Sequence, residues 1–267
     1  MKGKKTLVVI TTLLIASFVA YSFRTPIIDT WEDLVEEDIP TVSYNDVRNT
    51  APAVNPPANA NIDVDATNVN TPEPASALPS SFNLEVPFTT QAPFANWDFP
   101  YQEACEEAST ITVHYYYQDK TFTKEIADKE ILDLVEWEKD YFGDYKDTTA
   151  EETAEFIKAY WGYDRVDVEY DPTVEQIQRH VFAGRPVIIP AAGKQLGNPN
   201  FRNGGPLYHM FVVRGWADSQ FITNDVGTRN GENYRYTYDI VMKAMHDWNG
   251  GDVDNGQKVI IVVYPNN

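Results

Sequence analysis

Apolar and polar positions repeat along this chain in two rhythms. Between residues 101 and 161 the period is helical. Tyr101 to Gln118 suits one helix, and TKEIADKEILDLVEWEKDYF (123–142) gathers Ile126, Ile131, Leu134, Val135 and Trp137 on a face of a second. Thr148 with Glu151 reads as a capping box that opens a third, AEETAEFIKAYW, and Gly162 supplies its stop. After that the rhythm is mostly that of strands. VDVEY (166–170) alternates, Thr173 with Gln176 caps a short helix ending near Gly184, and PVIIPAA (186–192) reads as a buried strand. YHMFVVRGW (208–216), QFITND (220–225) and KVIIVVY (258–264) follow as strands, with a Gly/Asn loop and a helix around YDIVMKAMHDW before the last. Helices first and a mostly antiparallel sheet later predict an α+β fold.

The first 80 residues follow neither rhythm. MKGKK precedes TLVVITTLLIASFVAYSF, and no acid occurs before Arg24. A basic start ahead of an apolar run predicts an export segment over 1–23. An uncleaved signal-anchor would leave a single-pass cell-membrane protein with its C-terminal domain outside, the membrane being a partner through this N-terminal helix. The alternative is a signal peptide whose removal gives a secreted protein, with Ala20-Tyr21-Ser22 as a weak cleavage pattern. Residues 24–80 are rich in Pro, Asn, Ala, Ser and acids, which predicts a disordered spacer. The globular domain is then 81–267.

Composition narrows the function. Aromatic residues make up 13% of the chain, as in folded proteins. Acids outnumber bases by 40 to 21, so no nucleic-acid partner is expected, since that affinity comes from Lys and Arg neutralising phosphates. A single cysteine excludes an intrachain disulfide and any multi-Cys zinc site, and no cofactor is expected. DWNGGDVDNG (247–256) is rich in oxygen ligands, but it misses the calcium-loop spacing and reads as a turn.

That cysteine, Cys105, falls where Pro100 and neighbouring acids suit the opening turn of a helix, a place where unpaired N–H groups lower a thiol pKa. A thiolate nucleophile needs a base. His114 lies nine residues along the same helix, on its far side; His180 and His246 read as satisfied structural histidines. His209 opens an apolar strand just after the flexible NGGPLY, so it is the candidate. The residue that orients its ring should come from the next strand, as Asp225 or Asn224. A hairpin turning around Asp218 puts Asp225 on the face of His209, and one turning between Asp218 and Ser219 puts Asn224 there. Gln91 and Gln102 are the candidate oxyanion donors beside the Cys105 N–H.

VPFTTQAP, then W-x-x-P-x-x-x-A-C-E-E-A-S, then YHMFVVRGW and ITNDVGTRNG resemble the peptidase C thirty-nine-like group. These are papain-like cysteine peptidases related to the double-glycine leader peptidases of bacteriocin exporters. The resemblance implies a papain-like α+β fold, with the nucleophile on the N-terminal helix and His and Asp on the sheet. It implies Cys105 as nucleophile, His209 as base and then acid, Asp225 as the orienting carboxylate and Gln91 as oxyanion donor, acting on a peptide or protein substrate. Two positions depart from the pattern. Glu106 follows the nucleophile where glycine is frequent, and Val226 follows the Asp where proline is usual; carboxylates beside a thiolate raise its pKa unless they face away. Two other readings use the same residues: an amidase or acyltransferase acting on cell-wall peptides, and a non-catalytic peptide-binding module that kept the fold.

Overall fold

The computed structural model describes residues 39–50 and 77–266. The export segment expected over 1–23 and the spacer stretch 51–76 lie outside the described residues. Among the described residues, no helix is long and apolar enough to cross a membrane.

Three helices come first in the main body, as their periodicity predicts: α2 (Cys105–Tyr117), α3 (Lys124–Tyr141) and α4 (Ala150–Trp161). Ahead of them stand α1 (Tyr44–Thr50) and the two-residue strand β1 (Phe82–Asn83). The capping box of α4 is one residue later than expected, on Thr149 and Glu152. Thr148 is buried and spends its hydroxyl on Thr153, at 2.9 Å, so its more exposed neighbour takes the cap. Such a cap contributes roughly 1 kcal/mol.

The remaining elements are β2 (Arg165–Tyr170), α5 (Val174–Phe182), β3 (Val187–Ala192), β4 (Tyr208–Ala217), β5 (Gln220–Asn224), β6 (Tyr234–Thr237), α6 (Tyr238–Ala244) and β7 (Val259–Tyr264). The strands form one antiparallel sheet in the order β2-β7-β3-β4-β5-β6, and β1 pairs with β4 beyond the end of β3. This is the expected α+β, papain-like arrangement. β3, at the centre, is buried along its whole length, which is why its sequence is continuously apolar. Strand β6 carries too few apolar positions for its period to show in sequence. Helix α6 stops at Ala244, short of the expected Trp248, because His246 turns to bond Gly256 O through Nδ1, at 2.8 Å.

One correction concerns the expected spacer. Residues 40–50 and 77–80, the described part of that stretch within the larger compact unit, belong to the fold. Val42 bridges to Leu84, Val47 is buried, and Tyr44 meets the rings of Tyr116 and Tyr117 edge-on, at 5.4 and 5.2 Å. The text around them is Pro- and Asn-rich, but these three side chains find a core formed by residues distant in sequence.

Helix α2 is the hinge of the architecture. All its residues except His114 and Tyr115 are buried. Ser109 Oγ donates to Met210 O on β4 at 3.1 Å, and Tyr117 OH donates to Val263 O on β7 at 2.8 Å, so both ends of the helix are pinned to the sheet.

Candidate active site

The β4–β5 hairpin places the base and its partner. Its turn is the two-residue Asp218-Ser219, both with positive φ, and pairing runs Ala217↔Gln220, Trp216↔Phe221, Gly215↔Ile222. A regular ladder from that turn would bring Asn224 to the face of His209. Arg214, however, is a bulge: the next pairs are Val213↔Thr223 and Val212↔Asn224. The one-residue shift turns Asp225 to that face instead. His209 Nε2 and Asp225 Oδ1 lie 2.8 Å apart, both residues essentially fully buried.

The bulge is itself held. The Arg214 guanidinium donates to Asn83 Oδ1, Leu84 O and Asn224 Oδ1. Burial draws the Arg214 pKa down to about 10. Asn224, on the other face, donates to Val86 O and Pro87 O and so fastens the lead-in strand of chain before α2.

Asp225 has more partners than a histidine alone. Tyr236 OH donates to its Oδ2 at 2.5 Å, Asn198 Nδ2 donates to the same oxygen at 3.1 Å, and the Gly227 N–H donates to Oδ1 at 3.0 Å. Burial pushes its pKa up, but the His209 charge and these donors more than offset that, leaving it below the usual carboxylate value. Tyr236 and Asn198 were not foreseen. Tyr236 stands on the strand whose pattern is faint, and nothing local marks Asn198. Gly227 packs flat on the imidazole: a Cβ there would lie 2.8 Å from His209 Cε1. Phe201 meets the same ring edge-on, at 5.3 Å.

Cys105 is the first residue of α2 and is 6% exposed. β5 ends opposite Val212, so the backbone of Met210 has no partner there and turns to α2. Its N–H meets the Cys105 thiol and its carbonyl accepts from Ser109. The nucleophile candidate thus touches the residue next to His209. Its hydrogen bond goes elsewhere: the thiol donates to Glu106 Oε2, 3.0 Å away. Burial, then the charge and hydrogen bond of Glu106, then Glu107, push the thiol pKa well above its ordinary value. This corrects the expectation that a helix start lowers it. The first-turn dipole is present, but a carboxyl facing the sulfur in a buried site outweighs it.

Glu106 belongs to a buried carboxyl group of three. Glu107 and Glu138 are both 0% exposed, and neither of their side chains has a hydrogen-bond partner among the described residues. Burial drives all three pKa values up, to about 8 for Glu106 and about 9 for Glu138, with mutual repulsion adding to the effect for Glu107 and Glu138.

Gln91 is buried, and its backbone N–H bonds Val226 O at 2.9 Å, next to Asp225. Its side-chain Nε2 donates to Tyr101 O at 2.8 Å, which ties it to the turn leading into Cys105 and leaves its second N–H available. Gln102 is exposed. Gln91, Gln102 and His209 line one cleft of about 730 Å³; Cys105 does not reach its surface. The other histidines are structural. His114 stacks on Trp161 at 4.7 Å, and burial lowers its pKa to about 4. His180 pairs with Glu169 at 2.9 Å. In the stretch 247–256, Asp247 caps α4 by accepting from Ala150 N, and no group of metal-binding side chains occurs among the described residues.

Residues 83–250 match the Peptidase_C39 like family. A crystal structure described as a C39-like peptidase from Bacillus anthracis aligns with 68% of this chain and 96% of its own, at 16% identity and a TM-score of 0.45. No curated protein matches. The family match takes in the lead-in segment, α2 and the β4–β5 hairpin together, and on that basis this chain belongs to the Peptidase_C39 like family.

Proposed function

We propose that the chain is a cysteine peptidase that hydrolyses peptide bonds through Cys105, His209 and Asp225, with Gln91 assisting. The observation that carries this reading is the buried His209–Asp225 contact of 2.8 Å at the wall of an open cleft. Asp225 holds Nε2, so Nδ1 is the nitrogen that takes the thiol proton. Before that, the sulfur leaves Glu106 by rotating about its Cα–Cβ bond. The thiolate then attacks the peptide carbonyl carbon, and the oxyanion accepts from the Cys105 N–H and the second N–H of Gln91. Collapse breaks the C–N bond, and the amine leaves with the proton from His209. Water gives a proton back to His209 and attacks the thioester; the acid departs, and the sulfur regains its proton.

The basic start and apolar run over 1–23 support a location outside the cytoplasm, tethered to the membrane. Cell fractionation should find the protein with membranes, protected from protease added on the cytoplasmic side.

A second reading has its own support. A thiol that is buried, neutral and bonded to a carboxyl also suits a peptide-binding module without catalysis. Incubating the full-length protein with a mixed peptide digest, followed by mass spectrometry, separates the two. New termini should appear with the wild type and disappear with Cys105→Ala. Absence of new termini, with peptides retained by both proteins, would favour the binding module. Label from heavy-oxygen water in the new carboxyl ends distinguishes hydrolysis from acyl transfer.

A further inference from the structure

Every side chain along the cleft beside His209 is neutral or basic. In a chain with 40 acids and 21 bases, a wall of this size without one Asp or Glu is conspicuous. Arg202 and Arg229 supply its fixed charge; both residues are exposed, and neither guanidinium is ion-paired or hydrogen-bonded among the described residues. They come from different loops, but those loops are joined: Asn230 Nδ2 donates to Asn200 Oδ1 at 3.0 Å, and Asn200 N–H donates to Asn198 Oδ1 at 2.9 Å. Asn198 in turn donates to Asp225. Both arginines therefore stand on a wall connected to the carboxylate that orients His209.

We propose that this cleft selects peptides bearing an acidic side chain close to the bond offered to Cys105, with Arg202 and Arg229 as the recognising residues. This rests on the peptidase reading for the bond that is cut, but not for the charge that is recognised. A guanidinium presents a planar fork of donors that matches a carboxylate in two-point contact. Two of them on an acid-free wall attract a negative segment that the rest of this strongly acidic surface repels. Trp97 and Phe201 add apolar surface along the same cleft, so an extended peptide meets rings as well as charge.

The test measures binding apart from cleavage. Full-length protein carrying Cys105→Ala is titrated by fluorescence anisotropy with labelled peptides of equal length that differ only in Glu, Gln or Lys at two adjacent positions. The Glu peptide should bind at least about tenfold tighter than the Gln peptide, the gap narrowing at high salt. Arg202→Gln with Arg229→Gln should abolish that gap, while circular dichroism shows the fold retained. Equal binding of Glu and Gln peptides, or a preference that survives in the double variant, overturns the inference. Cleavage by the wild type without any preference for acidic peptides also overturns it but leaves the peptidase reading intact. Tight, arginine-dependent binding of peptides that the wild type never cuts upholds it and removes the peptidase reading instead.

Discussion

His209 and Asp225 meet at 2.8 Å because Arg214, five residues further along the strand, is skipped in the backbone pairing of the hairpin. A two-residue turn at Asp218-Ser219 would by itself present Asn224; the bulge shifts the ladder by one and presents Asp225. The guanidinium that anchors the bulge binds Asn224 on the opposite face, so one residue sets the roles of both neighbours. Asp225→Ala should therefore lower kcat/KM by about 10²–10⁴-fold. Asn224→Ala should leave the kcat of folded protein near wild type and instead cost about 1–3 kcal/mol of stability, through the carbonyls of Val86 and Pro87 that it would leave unpaired. Steady-state kinetics and urea unfolding of the two variants check this pair of outcomes.

Tyr236→Phe removes the 2.5 Å donor from Asp225 but keeps the ring. The Asp225 pKa is held below its ordinary value partly by that donor, so it should rise in the variant. The acid limb of the pH–rate profile should then move to higher pH, with a loss of roughly 10-fold or more in kcat at neutral pH, the worth of a hydrogen bond to a charged group. A profile that scales down without moving would assign Tyr236 to packing alone.

Much of this was legible in the sequence, and the gaps have physical causes. Helical and alternating periods located every long element, and a lone cysteine followed by a histidine at the start of a strand marked Cys105 and His209 as the candidates. The Asp225-or-Asn224 choice was not decidable, because a bulge is a tertiary event: Arg214 is stabilised by Asn83 and Leu84, more than a hundred residues away. Val42 and Val47 were hidden in spacer-like text for the same reason. Glu106 was visible beside Cys105, but whether it faced the sulfur depended on which side of α2 meets the sheet.

The buried carboxyls set the pH dependence of stability. Glu107 and Glu138 have folded pKa values raised above the ordinary 4.5, so they favour the fold fully only below that pH. As pH rises, the unfolded chain ionises first and the folded chain holds its protons until about 9 for Glu138, so stability falls across that window. Thermal melting should show Tm decreasing from about pH 5 to about pH 9, and Glu138→Gln should flatten the decline.

Glu106 should restrain the thiol most at alkaline pH. Its carboxyl ionises near pH 8, and from there its charge opposes thiolate formation. Below pH 8, Glu106→Gln and wild type should alkylate at rates within a few-fold of each other. Above it, the variant should pull ahead by about tenfold for each pKa unit the charge imposes. Parallel profiles across the whole range would mean that the 3.0 Å contact has no electrostatic consequence.

Whether the imidazole at 209 ionises the sulfur at 105 is tested most directly by the rate of Cys105 alkylation by iodoacetamide at pH 6, in wild type and in His209→Ala. At that pH a thiol without a partner is almost wholly protonated, so reactivity reports the sulfur that has passed its proton to the ring. The expected result is at least a tenfold slower reaction in His209→Ala. Equal rates in the two proteins would contradict a shared proton and, with it, the catalytic role assigned to the pair.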